Sequence, residues 1–171
     1  LAKKGARVAV LERESVGWGA SCRNGGMALS GLKVSVPTAV RRYGPEVARR
    51  LYLASLASID LVEELVRSEG IECDFARCGG LELACKPAHF KRLRHTQALL
   101  EREFGHRTEL IGRAEQRREI GSDYYHGGLL DPGSAGLHPG KYMAGLIVAA
   151  ARAGVELHDR TEARRLRRAG S

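Results

Sequence analysis

Aromatic residues make up only 5% of this 171-residue chain, one Trp, five Tyr and three Phe. That leaves few flat surfaces for exposed bases and weighs against a binder of single-stranded nucleic acid. Lysine is scarce too: Lys3, Lys4, Lys33, Lys86, Lys91 and Lys141 are the only lysines among 28 basic residues, so arginine carries most of the net charge of +8. The basic runs HFKRLRH (His89 to His95) and RRLRR (Arg164 to Arg168) are what a rival reading, a basic nucleic-acid-binding module, would rest on. Glu101, Glu103, Glu115 and Glu119 interrupt that surface, and such runs are ordinarily solvated helix faces. No nucleic-acid partner is expected.

Long apolar runs are missing as well. The longest, around Leu146 to Ala151, falls far short of a bilayer span, and no charged-then-apolar leader opens the chain. The cysteines Cys22, Cys73, Cys78 and Cys85 have neither a redox CxxC nor a zinc-site spacing, so they read as free thiols and no metal site is expected. With 43% hydrophobic and 28% charged residues the composition is that of a globular chain, without repeats or low-complexity linkers. A soluble, cytoplasmic protein with no membrane span is the expectation; nothing in the sequence speaks to oligomeric state.

What is present is an alternation of strands and helices. LAKKGARVAVLE reads as the closing turn of a helix stopped at Gly5, then a strand Arg7 to Leu11. The near-continuous apolar character of that strand suits a parallel strand covered on both faces. Apolar residues at helical spacing from Val47 to Val66 predict a long amphipathic helix ended at Gly70. A strand pair or bent strand follows through Leu81 to Ala84, and Pro87 opens a helix to about Phe104. A short helix is predicted near Arg113 to Ile120 and a short strand at Gly128 to Leu130. Pro139 then starts a helix that Gly154 ends, VELHD enters a strand, and EARRLRR is a further strand or a cut one.

The chemistry concentrates at the end of the first strand. Glu12 stands where a carboxylate accepts hydrogen bonds from the ribose hydroxyls of an adenosine, with Arg13 beside it; a solvated loop residue is the alternative for Glu12. In a dinucleotide-binding βαβ unit the Gly-rich turn lies ~20 residues before that acidic residue, which makes Leu1 read as a truncation point. GWGASCRNGG then places Gly17, Gly19, Ala20, Gly25 and Gly26 in ten positions, a main chain bare enough for a large ligand to approach.

This stretch resembles the D-amino-acid oxidase-like FAD-dependent oxidoreductases, in which a GASGRNGG pattern follows closely after the ribose-binding Glu. The match is Gly19-Ala20-Ser21-Cys22-Arg23-Asn24-Gly25-Gly26, with Cys22 where many relatives carry Gly. Within the family the likeness is to the branch that includes γ-glutamylputrescine oxidase and related amine oxidases. LLDPGSAGLHPGKYMAGLIVAAARAGVELHDRT is similar to the family's re-entry into its FAD domain, so the likeness is strongest at residues 1–31 and 125–161.

The resemblance implies an α/β (mixed α/β and α+β) fold: an incomplete Rossmann-like FAD-binding domain with part of a sheet-containing substrate domain. Residues 1–70 and 137–171 would be two segments of the FAD domain, and 71–136 a substrate-domain segment. It implies FAD as cofactor, held by Glu12, Arg13, Gly19, Ala20, Ser21, Arg23, Asn24, Gly25 and Gly26. Ser21 reads either as a donor to the pyrophosphate or as the cap of a following helix, and Arg23 and Asn24 as hydrogen-bonding near the isoalloxazine ring. Trp18 reads as packing at a loop edge and Cys22 as a small filler. The implied reaction is hydride transfer from the C–N bond of a small amine or amino acid to flavin, with oxygen as acceptor; a flavin dehydrogenase of another substrate class is the runner-up. No catalytic acid or base is named. The isolated segment, lacking the phosphate turn, is expected to hold FAD only weakly.

Overall fold

Each of the four α-helices in the computed structural model, which describes residues 1–167, starts with a proline in its first two positions. Proline's fixed φ suits the first turn, where its missing N–H has no partner to lose. The helices are α1 (Val36–Tyr43), α2 (Pro45–Glu69), α3 (Pro87–Phe104) and α4 (Pro139–Arg152). The strands are β1 (Ala9–Leu11), β2 (Met27–Ala28), β3 (Gly80–Leu83), β4 (Glu109–Gly112), β5 (Gly127–Asp131), β6 (Ala135–Gly136) and β7 (Glu156–His158). No helix among the described residues is long and apolar enough to cross a membrane.

The chain divides into two compact units: residues 1–26, 64–75 and 137 onward, and residues 27–63 and 76–136. Residues 27–63 thus group with 76–136 rather than with 1–26.

In the first unit β1 and β7 pair in parallel, with Val10 opposite Leu157. Glu69, its side chain only 10% exposed, takes ion pairs from Lys3 and Arg152. Ile71, Cys73 and Ala149 are buried here. The parallel pairing follows the reading of β1, but the expected cover on both faces does not: Val10 is 40% and Leu11 51% exposed. Among the described residues β7 is the only sheet partner of β1, so three residues of ladder present both faces outward.

In the second unit β3, β5 and β4 form an antiparallel sheet in that order, with Leu81 opposite Leu130 and Leu110 opposite Leu129. Ala84, Leu93 and Leu129 are buried together, with Phe90 and Leu110 packed against them, which fixes α3 to the sheet. A second cluster joins α1, α2 and α3 through Ala39, Ala48, Tyr52, Leu100 and Phe104, and the Tyr52 and Phe104 rings stack at 4.7 Å. β2 and β6 pair antiparallel in the same unit.

The structure departs from the sequence reading in several places. The opening turn and the predicted helix near Arg113 to Ile120 are single 3₁₀ turns, Ala2–Lys4 and Gln116–Arg118. α1, β2, β4 and β6 were not anticipated. Residues 162–167 of EARRLRR have no regular structure, and Arg168 lies outside the described residues.

Candidate functional site

β1 delivers Glu12 to the end of the parallel pair. Its N–H donates to the His158 carbonyl at 2.9 Å and its own carbonyl accepts from Thr161 N–H at 2.8 Å, so the main chain is held on both sides. One carboxylate oxygen, Oε1, accepts from Glu14 N–H at 2.9 Å. The other takes no hydrogen bond among the described residues, and the side chain is half-buried. Arg13 points to solvent and pairs with Glu14 at 3.3 Å.

From residue 13 to 24 the chain runs through successive turns. Trp18 N–H donates to Ser15, Cys22 N–H to Gly19 and Arg23 N–H to Ala20. Asn24 closes them: its amide donates to the Ala20 and Ser21 carbonyls at 3.0 and 3.2 Å and accepts from Gly26 N–H at 2.9 Å. The Asn24 side chain is thereby committed to its own loop rather than available to a flavin ring. Replacing Asn24 by Ala is expected to destabilise the chain by about 1 kcal/mol, because the loop is solvent-exposed and water replaces part of what is lost; a urea melt measures it.

Ser21 is exposed and its hydroxyl bonds to nothing among the described residues. It caps no helix, since the next one begins at Val36 with Ser35 at the cap position. Arg23 lies over the Trp18 indole, its guanidinium carbon 3.9 Å from the ring centroid, a cation–π contact at the loop edge. Cys22 is half-buried and free.

The glycines of the motif divide into two kinds. Gly17 and Gly26 are buried and have positive φ, 86° and 67°. A Cβ on Gly17 would lie 2.9 Å from Met143 Cγ, and one on Gly26 would lie 2.0 Å from the Leu137 carbonyl oxygen. Packing against the start and inner face of α4 demands these two. Gly19 has ordinary φ and open space where a Cβ would stand. The N–H groups of Gly19, Ala20 and Ser21 make no hydrogen bond among the described residues, and Ala20, Ser21 and Gly25 are exposed. Three successive main-chain donors are therefore open to an acceptor. Together with one free oxygen of Glu12, that donor and acceptor set fits the phosphates and ribose of an adenine dinucleotide.

A second polar cluster, which the sequence reading missed, lies in the other unit around Asp131, at the end of β5. Its Oδ1 accepts from His106 Nε2 and Gly133 N–H, both at 2.9 Å, and its Oδ2 accepts from the hydroxyls of Ser30 and Ser134. Burial pushes the Asp131 carboxyl up, but the Ser30 hydroxyl, Gly133 N–H and His106 outweigh it and hold the group below the ordinary carboxylate value. Burial raises the nearby Tyr52 phenol, against the Ser30 hydrogen bond that lowers it. Asp131 borders a cavity of about 600 Å³ with Leu29, Leu32, Tyr52, Arg92 and Leu129 among its walls. The only sequence signal was the DPGS turn, which reads as loop chemistry.

Comparison with known proteins gives these loops a context. A family model described as "FAD dependent oxidoreductase" matches residues 1–171. A probable oxidoreductase OrdL of Haemophilus influenzae is 33% identical over 162 residues, 94% of this chain and 37% of that protein. The gamma-glutamylputrescine oxidoreductase of Escherichia coli is 33% identical over 139 residues, 81% of this chain and 32% of its own length. Among solved structures, glycine oxidase from Geobacillus kaustophilus superposes with a TM-score of 0.76 at 27% identity, covering 95% of this chain and 42% of that one. The chain thus spans about a third of the curated relatives it matches. It shares their α/β fold, and with the family model matched from end to end it belongs to the D-amino-acid oxidase-like FAD-dependent oxidoreductases.

Proposed function

We propose that residues 12–26 form the adenosine and pyrophosphate side of the flavin cradle in an oxidoreductase that oxidises the C–N bond of an amine or amino acid, with oxygen as acceptor. The observation that carries this reading is the run of three free main-chain donors, Gly19 to Ser21, in the same unit as the half-satisfied Glu12 carboxylate. The ligand-facing set is Glu12, Gly19, Ala20, Ser21 and Gly25. Asn24 and Gly26 shape the loop, while Arg13 and Arg23 add positive charge at its rim.

Bound FAD would supply the two-electron acceptor for oxidation of the C–N bond. The chain's own contribution is to bind and orient. Glu12 would hold the ribose through its free carboxylate oxygen, and the Gly19 to Ser21 N–H groups with the Ser21 hydroxyl would hold the phosphates. Support for the substrate class comes from the relatives, one an oxidoreductase of gamma-glutamylputrescine and one an oxidase of glycine. Within this reading the first compact unit is the FAD side and the second, residues 27–63 and 76–136, belongs to the substrate side. A cytoplasmic location belongs to the proposal too, supported by four cysteines that are all free.

Titrating the chain with FAD and following quenching of flavin fluorescence tests the cradle. Glu12→Ala and Ser21→Ala, both outside the buried core, are each expected to raise Kd about tenfold, the equivalent of one charge-assisted hydrogen bond. Affinity unchanged in both variants would remove the assignment.

A further inference from the structure

The chain contains a single asparagine, Asn24, and the residue after it is Gly25. An asparagine followed by glycine carries its own reactive pair. The main-chain nitrogen of the glycine can attack the side-chain carbonyl carbon, Cγ, because no Cβ on the glycine shields that nitrogen. Both residues are exposed, and the Gly25 N–H makes no hydrogen bond among the described residues. The attacking atom is therefore uncommitted. Its target is held: Asn24 Nδ2 donates to the Ala20 and Ser21 carbonyls at 3.0 and 3.2 Å, and Oδ1 accepts from Gly26 N–H at 2.9 Å. All these residues belong to the first compact unit.

We propose that Asn24-Gly25 is a site of spontaneous deamidation that the folded loop holds back, so that it converts only when the loop opens. In the reaction the Gly25 nitrogen gives its proton to hydroxide and bonds to Asn24 Cγ. The Cγ–Nδ2 bond breaks, and Nδ2 takes a proton from water and leaves as ammonia. Water then opens the resulting succinimide ring at either carbonyl, leaving aspartate or isoaspartate at position 24. Nothing is oxidised or reduced.

The three hydrogen bonds oppose the first step. Nδ2 departs only by giving up both carbonyl acceptors, and turning Cγ toward the Gly25 nitrogen takes the amide out of the plane they fix. The reaction thus runs through an opened conformation, and its rate falls with the fraction of molecules that are open. The product does not close the loop again. A carboxylate has no N–H to donate, so its charged oxygen meets the Ala20 and Ser21 carbonyls as acceptor against acceptor. The loop that loosens is the one carrying the free main-chain donors of Gly19 to Ser21.

Ageing the whole 171-residue chain at mildly alkaline pH, with and without denaturing urea, tests this. Mass spectrometry of the peptide that begins after Arg23 reads the conversion of amide to acid, and circular dichroism checks that the urea-free sample is folded. Acid is expected to form at Asn24 about tenfold or more slowly in the folded chain than in urea. Gly25→Ala, at a position outside the positive-φ region, should slow the reaction in urea about tenfold by shielding the nitrogen. Asn24→Asp, which imitates one product, should unfold at a lower urea concentration than the parent. Equal rates in the folded and unfolded chain, or an Asn24 that stays an amide in urea, would overturn the proposal. So would a Gly25→Ala chain that reacts as fast as the parent, or an Asn24→Asp melt that superimposes on the parent's.

Discussion

Gly26→Ala is expected to destabilise the chain by roughly 3 kcal/mol, a large part of the marginal stability of any single domain. Two costs add. The residue holds φ at 67°, which an L side chain enters at about 1–2 kcal/mol. Its new Cβ would meet the Leu137 carbonyl oxygen at 2.0 Å, so main chain rather than a yielding side chain must move. The Leu137 N–H to Gly26 carbonyl hydrogen bond, 2.9 Å, lies in the path of that movement. Chemical unfolding of both proteins reads the difference directly. Gly19→Ala is the matched control: its side chain enters open space at an ordinary φ, so stability should stay within about 0.5 kcal/mol. If Gly19 lies under a flavin, only the binding of FAD by that variant suffers. The pair therefore separates a glycine that folding requires from one that a ligand requires.

Asp131→Ala should cost a comparable amount, roughly 3 kcal/mol, because it leaves four donors in a partly buried pocket without their acceptor. Ser30, Ser134, His106 and the Gly133 N–H all converge on this carboxylate, whose side chain is 15% exposed. Asp131→Asn keeps one carbonyl oxygen for Gly133 or His106 and should lose about half as much. The pH dependence has a definite sign. The folded state holds this carboxyl below its ordinary value, so it binds fewer protons than the unfolded chain over that range. The resulting stability is complete above the ordinary Asp value, about pH 4, and is lost as pH falls through the lower folded value. Thermal melts between pH 5 and pH 2 should show a steeper decline for the parent than for Asp131→Asn.

The legible parts of this fold are those with a local physical signature. α2, α3 and α4 carry helical apolar spacing, a proline at the start and, for α2 and α3, a glycine of positive φ just past the end. β1 and β5 are apolar runs bounded by turn residues. What stayed hidden depends on distant partners. β2 and β6 are two-residue strands that exist only because Met27 and Ala28 meet Gly136 and Ala135. β4, ELIG, has too short an alternation to stand out until β5 pairs with it. α1 falls in a stretch whose Val36, Pro37, Thr38 and Val40 are poor helix formers, and it is held by the buried cluster around Ala39 and Tyr52.

The site shows the same division. The GASCRNGG motif announced a bare main chain, and the free donors at Gly19 to Ser21 match it. It did not announce that Asn24 belongs to the loop, or that Gly26 answers to Leu137. A single motif mixes residues whose main-chain donors are left free with residues that hold their neighbours in shape, and the sequence pattern alone does not separate them. The Asp131 cluster had no signature, since Ser30, His106 and Asp131 are far apart in sequence and ordinary in type.

Asn24 fastens its loop before anything arrives to occupy it. Because its amide already ties residues 20, 21 and 26 together, the ordering entropy of this segment is charged to folding rather than to recognition. A ligand that accepted from the free donors beside it would find residues 20, 21 and 26 already tied together, with less of the main chain left to order on binding.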